Sequence, residues 1–118
     1  SDKSKGMDVM RELWRRYKTV KSFDASYWEG VVVGMIMERA FQRAYEKSKA
    51  INPQTVNAAL ESMKNEDFGG LVPAVSFSKD SHEASFTARM VKVLENGTYI
   101  PLTNFYVPGK DKIKLLKK

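Results

Sequence analysis

The first periodic segment is residues 7–18, where Met10, Leu13, Trp14 and Tyr17 fall at i, i+3, i+4 and i+7. That spacing lines one face of a helix, with Arg11, Glu12, Arg15 and Arg16 on the other. A second and longer helix is predicted over residues 27–49, opened by Ser26-Tyr27-Trp28-Glu29, which has the S-x-x-E form of a capping box. Its first half carries Trp28, Val31, Val32, Val33, Met35, Ile36 and Met37, too many apolar residues for one stripe. Its second half is one-sided, with Ala40, Phe41, Ala44 and Tyr45 expected to face inward. A helix apolar all round is buried all round, so the first half is expected to be enclosed by more protein. Gly30 and Gly34, one turn apart, leave a flat strip on which another backbone can approach.

Asn52-Pro53 reads as an N-cap followed by proline at the first helical position, with Ile51 and Val56 spaced as a hydrophobic staple. Val56, Ala59, Leu60 and Met63 then repeat the helical stripe, and Phe68-Gly69-Gly70 lies beyond the helix end. From there the texture becomes β. Residues 71–77 alternate in part, with Pro73 arguing for a strand start or a sheet edge. Lys79-Asp80-Ser81-His82-Glu83 is a polar turn. Phe86, Ala88 and Met90 alternate and Val91 and Val93 continue on the other phase, which predicts a strand with a bulge. Asn96-Gly97 is a hairpin signal, and residues 99–107 supply the returning strand before Pro108-Gly109. Three helices followed by three or four strands leave the helix around Val31 to Met37 with too little of a layer to cover it. The expectation is a piece of something larger.

Composition narrows the function classes. A chain of 118 residues is one ordinary domain at most, and 42% apolar with 29% charged residues can bury a core. Without cysteine there is no disulfide framework and no thiolate metal site, and one histidine, His82, makes a His-based metal or catalytic centre improbable. No metal site and no cofactor is expected. The net charge of +6 is concentrated at the ends, over residues 1–6 and 110–118, both expected as solvated tails. No stretch is long and uncharged enough to span a bilayer, and the chain begins with Ser1 and lacks a signal-peptide pattern, which reads as a front that has been trimmed.

Candidate chemistry is sparse. Ser76, Ser78, Ser81 and His82 cluster in sequence, yet no G-x-S-x-G surrounds a serine, and His82 reads as a turn histidine. Glu66-Asp67 reads as a solvated turn, and Gly69-Gly70 as a helix stop and strand entry too short to cradle a phosphate. At the start of the long helix, Tyr27 and Trp28 are either core residues or the lining of a ligand cleft. Asp24 is either a cap or a ligand contact. No catalytic residue is assigned, and the chain is expected not to be an enzyme.

In order, these segments resemble the C-terminal third of periplasmic solute-binding proteins of the branched-chain amino acid (Leu/Ile/Val-binding) family, the receptors of ABC importers. Four pieces carry the resemblance. Ser26-Tyr27-Trp28-Glu29-Gly30 leading to Ala40-Phe41-Gln42-Arg43-Ala44 looks like the family's tyrosine-plus-small-residue helix. Thr55-Val56-Asn57-Ala58-Ala59-Leu60-Glu61 is similar to the helix that follows it. Phe68-Gly69-Gly70-Leu71 with Val75-Ser76-Phe77-Ser78-Lys79-Asp80-Ser81-His82 resembles its f-G-G-l strand and turn. Val91 to Phe105, with Asn96-Gly97 and Pro101-Leu102-Thr103, resembles its closing hairpin.

The resemblance implies an α/β fold, as a fragment: helices followed by a strand and hairpin region, part of a two-lobed periplasmic binding protein-like architecture. Residues 1–6 would be a flexible tail, 7–107 the C-terminal segment of the binding-protein domain, and 108–118 a basic tail. It implies a periplasmic or extracellular receptor that closes its lobes on an amino acid or other small aliphatic or aromatic carboxylate and delivers it to the membrane permease of an ABC importer. Tyr27 and Asp24 are the positions expected to face the ligand cleft. Nucleic acid is not expected as a partner, and the isolated chain is expected to self-associate through its uncovered helix. The competing reading is a self-standing basic α+β interaction or nucleic-acid-binding domain using residues 110–118 and the arginines of the first helix.

Overall fold

A computed structural model describes residues 4–17, 24–84 and 87–104. The chain divides into two compact units, Ser1–Ala84 and Ser85–Lys118. The first holds helices α1 (Lys5–Tyr17), α2 (Ala25–Ser48) and α3 (Pro53–Glu61). The second holds strands β1 (Val91–Val93) and β2 (Tyr99–Pro101). The order of helices followed by a hairpin is the expected one. The expected basic tail at 108–118 lies outside the described residues.

Within the segment expected as a tail, α1 begins at Lys5 and Gly6 is buried. The Gly6 N–H donates to the Gly69 carbonyl at 2.9 Å, and a Cβ on Gly6 would sit 2.4 Å from Leu71 Cγ. Gly69 itself has φ +67, a left-handed conformation that suits glycine. The pair Gly69-Gly70 therefore builds the turn on which α1 docks; α3 has already ended at Glu61, with Ser62 as its C-cap.

Helix α2 starts two residues earlier than its capping signal suggests. Asp24 is the N-cap, in extended conformation, and its Oδ1 accepts from the Tyr27 N–H at 3.0 Å. Ser26 lies inside the first turn. An aspartate at that point both accepts an orphan amide and sets a negative charge against the positive end of the helix, which a serine does not. At the other end Lys49 caps with φ 54, its N–H donating to the Tyr45 carbonyl at 2.8 Å. The start of α3 is as expected, with Asn52 and Thr55 forming a reciprocal capping box and Pro53 following the cap. Ile51 stays 57% exposed, while Val56 packs into the core.

Two apolar clusters hold this unit. Ala40 and Ala44 of α2 meet Ala59 and Met63, with Ile36, Val56, Leu60 and Phe77 around them. Met10 of α1 meets Val32 and Leu71, with Tyr27, Trp28, Val31, Met35 and Ile36 around them. Small alanines on both helices let α2 and α3 approach closely, and Ile36 touches both clusters. The first half of α2 is thus covered on the Val32 side and uncovered on another, where Val33 is 59% exposed; in its second half Ala40 and Ala44 are buried, while Phe41 and Tyr45, expected inward, lie off the α3-facing side and are exposed.

Residues 71–77 do not form the predicted strand. Val75 pairs with Glu66 in an isolated antiparallel bridge, N–H to carbonyl in both directions at 2.9 and 2.8 Å, and the Phe77 N–H donates to the Met63 carbonyl. Pro73 offers no donor, and a ladder needs a run of paired neighbours on each side. The polar turn is present, with Ser78 bridged to Ser81. In the second unit β1 and β2 pair antiparallel in the register Val91↔Pro101, Lys92↔Ile100 and Val93↔Tyr99. Asn96-Gly97 makes the reversal, with Gly97 at φ +77 and the Leu94 N–H donating to the Thr98 carbonyl. Both strands are three residues long, shorter than the predicted ones, and residues 105–107 of the returning strand lie outside the described residues.

Candidate functional site

The two residues singled out for a ligand, Asp24 and Tyr27, sit together at the N-terminus of α2, joined by the capping hydrogen bond of 3.0 Å. Asp24 is exposed and also accepts the Trp28 N–H on its backbone carbonyl at 3.1 Å. Tyr27 and Trp28 are half-buried and lean on the Met10–Val32–Leu71 cluster. The structure therefore gives Asp24 a capping role, and gives both aromatics a packing role. Chemically, the Asp24 carboxylate occupies the positive end of α2, the place where a ligand carboxylate would otherwise be held.

A polar centre that the sequence reading took for a solvated turn is built around Glu66. Its two carboxylate oxygens are divided between two arginines one turn apart on α2: Arg39 Nη1 to Oε2 at 3.0 Å and Arg43 Nη2 to Oε1 at 2.5 Å. The Glu66 side chain is 17% exposed. Arg39 also donates to the Asp67 carbonyl at 3.1 Å and lies over the Phe68 ring, 4.4 Å from its centroid. The hydrogen bond from Arg43, followed by that from Arg39, holds the Glu66 carboxyl below the ordinary glutamate value. The sequence signal was the pair Arg39 and Arg43 at i, i+4; their acceptor lies more than twenty residues away and has no local mark.

His82 is exposed, and its partner is Glu61, Nε2 to Oε1 at 3.2 Å, rather than a serine. Asn57 donates to the same Glu61 oxygen at 2.9 Å. The histidine contact first, then the amide, lowers the Glu61 carboxyl. Ser76 pairs with Asn65 and Ser78 with Ser81, so the nucleophile arrangement weighed from sequence is not assembled. Among the described residues no group of three His, Cys, Asp or Glu converges to hold a metal ion. A groove of about 350 Å³ runs between α2 and α3, with Ala44, Ala58 and Ala59 among its small residues and Arg43, Lys47, Gln54 and Thr55 among its polar ones. No helix among the described residues is long and apolar enough to cross a membrane.

No family model matches this chain, and no curated protein matches it. A structural match is the crystal structure of a branched chain amino acid ABC transporter from Thermus thermophilus with bound valine, at a TM-score of 0.80 and 22% sequence identity. The match covers 92% of this chain and 31% of that one, so the chain spans about a third of the length of the protein it resembles. At that identity the likeness speaks to fold: the chain has the α/β fold of a segment of that transport protein.

Proposed function

We propose that this chain is a segment of the extracellular solute-binding receptor of an ABC importer, binding an amino acid or a related small carboxylate by lobe closure and catalysing no reaction. The observation that carries the reading is the structural match over 92% of the chain to a transport protein with valine bound. In this reading the α2 N-terminus borders the cleft. Tyr27 presents its ring to the ligand, and Asp24 sets the end of the helix beside it. The receptor works outside the cytoplasmic membrane and hands its ligand to a membrane permease.

Ligand capture by closure requires that the closed state bind better than the open one, so the function belongs to a chain that contains both lobes. The test is calorimetric titration of the longest reading frame containing these residues with valine, leucine, isoleucine, phenylalanine and benzoate. Saturable binding of one of these at micromolar concentration supports the reading. No heat from any of them at millimolar ligand, together with tight nucleic-acid binding that weakens steeply with salt, overturns it.

A further inference from the structure

The hairpin of the second unit turns through Glu95, Asn96 and Gly97. The chain has five asparagines, and Asn96 is the one followed by glycine. Its side-chain oxygen Oδ1 accepts two hydrogen bonds from Thr98, from the backbone N–H at 3.0 Å and from the hydroxyl at 2.7 Å. A backbone N–H can only donate, so the amide oxygen of Asn96 is the atom at that contact and Nδ2 lies outside it. Gly97 has φ +77, and a Cβ built on it meets nothing within 4 Å, so its nitrogen is unobstructed on the side-chain side. Residues 95–98 are all exposed. The other asparagines lack this setting. Asn52 precedes Pro53, whose nitrogen has no hydrogen, Asn57 lies inside α3, and Asn104 precedes the bulky Phe105. The Glu66 N–H that follows Asn65 is held by the Val75 carbonyl in a reciprocal pair.

We propose that Asn96 is a site of spontaneous covalent modification, its side-chain amide closing onto the Gly97 nitrogen and reopening as isoaspartate or aspartate, with Thr98 as the catalytic residue. The Gly97 N–H gives its proton to hydroxide, the nitrogen attacks Asn96 Cγ, and the carbonyl electron pair moves onto Oδ1. The Cγ–Nδ2 bond then breaks as that pair returns, Nδ2 takes a proton from water and leaves as ammonia, and a cyclic imide remains. Water adds to one of the two imide carbonyls and breaks its bond to nitrogen: opening at Cγ gives aspartate, opening at the backbone carbon gives isoaspartate. Amide plus water become carboxylate plus ammonium, and no other reactant enters. Both Thr98 donors are aimed at the oxygen that becomes negative, the arrangement that lowers the barrier of acyl transfer. Nucleophile and electrophile belong to adjacent residues, so the attack is intramolecular. One bond opposes it: the Gly97 N–H donates to the Leu94 carbonyl at 2.9 Å and must let go first. That is a single bond on an exposed loop between strands of three residues, the kind that opens without global unfolding.

Isoaspartate carries the main chain through the side-chain carbon and so lengthens the loop by a methylene. Loop length sets hairpin register, and the Val93↔Tyr99 pair beside the loop is the first to be lost. Either product adds a negative charge next to Glu95 and lowers the net charge of +6 by one. The modified fraction therefore records the time since synthesis.

The experiment incubates the 118-residue chain at mildly alkaline pH and follows intact mass and fragment masses with time. A gain of about 1 Da, the difference between an amide and its acid, is expected at Asn96, with both aspartate and isoaspartate formed, ammonia released and a rate that rises with hydroxide. The amides of Asn57 and Asn65 are expected to outlast it. Thr98→Val keeps the branched shape and removes the hydroxyl donor; it is expected to slow the reaction about two- to tenfold, and Thr98→Ser to restore it. A merely structural role for Thr98 acts in the opposite direction, because loosening the loop releases the Gly97 N–H and speeds the attack. In concentrated urea, where the turn is lost, parent and Thr98→Val are expected to react alike. An Asn96 amide that persists as long as those of Asn57 and Asn65 overturns the proposal. So does a Thr98→Val chain that reacts as fast as the parent or faster, or one that is slowed equally in urea.

Discussion

Glu66→Gln removes one charge and leaves the shape of the side chain. In the native protein the carboxylate takes one hydrogen bond from each of Arg39 and Arg43, at 3.0 and 2.5 Å. A hydrogen bond to a charged group contributes about 1.5–3 kcal/mol when buried. Both arginines are about a third exposed, so solvent screens them and about 0.5–1 kcal/mol apiece is the appropriate figure. Gln retains one acceptor but offers its amide N–H₂ to a guanidinium, a donor facing a donor. The net loss is about 1–2 kcal/mol. For a folded unit of this size that lowers Tm by about 4–16 °C, read by circular dichroism at 222 nm. The difference is confined to one pH range: the Glu66 carboxyl is lowered in the folded state, so the unfolded chain binds the extra proton. The stabilisation is full above the unfolded glutamate value near 4.5 and fades as pH falls through the folded value. Parent and variant should therefore converge in acid. A Glu66→Gln protein within about 0.3 kcal/mol of the parent at pH 7, or a gap that persists at pH 2, would refute the reasoning.

Substitutions at four further positions test the turn, the open helix face, the cap and the histidine pair. Gly69→Ala should cost about 2 kcal/mol or more, because its φ is +67 and its Cβ would lie 2.7 Å from the Gly6 nitrogen, whereas Gly30→Ala, open on its outer side, should stabilise by about 1 kcal/mol; urea melts of the two should move in opposite directions. Asp24→Ala should lose about 1 kcal/mol with the cap, while Asp24→Ser keeps the cap and most of the stability. In the complete receptor, unchanged ligand affinity in Asp24→Ser would show that the carboxylate is a cap and nothing more. His82→Ala should return the Glu61 carboxyl towards its ordinary value, so the acid limb of the stability curve becomes shallower as pH falls below about 4.5; a carboxyl titration by NMR that does not move would contradict the pairing.

The helices were legible because each repeats its apolar residues at helical spacing over two turns or more, a signal that survives errors in its ends. The start of α2 was misread because two overlapping patterns, Asp24 ahead of Tyr27 and Ser26 ahead of Glu29, both satisfy capping rules, and the structure takes the one that puts charge against the helix dipole. Residues 71–77 were misread because a strand is defined by its neighbours: Val75 has a single partner in Glu66, and alternation in sequence cannot say whether a second will be there. The Asn96-Gly97 hairpin, whose paired residues are six to ten positions apart, was fully local and was found. Asp24 and Tyr27 are joined by the capping hydrogen bond that their spacing allows, but the Glu66 centre was invisible because arginines on a helix ordinarily face water and nothing near them announces a distant acceptor.

The contact between Gly6 and Gly69 bears on the order in which the protein assembles. Helices α2 and α3 are sequence neighbours, so their alanine interface closes a short loop and can form early. α1 is fastened through a backbone hydrogen bond to a residue sixty-three positions away, at a turn that must already hold its left-handed geometry before the helix can settle. Docking of α1 is therefore the last step of folding and the first to reverse. In native-state hydrogen exchange the α1 amides should open at lower denaturant than those of α2 and α3, as a separate cooperative unit; simultaneous opening of all three helices would show that the unit folds in one step.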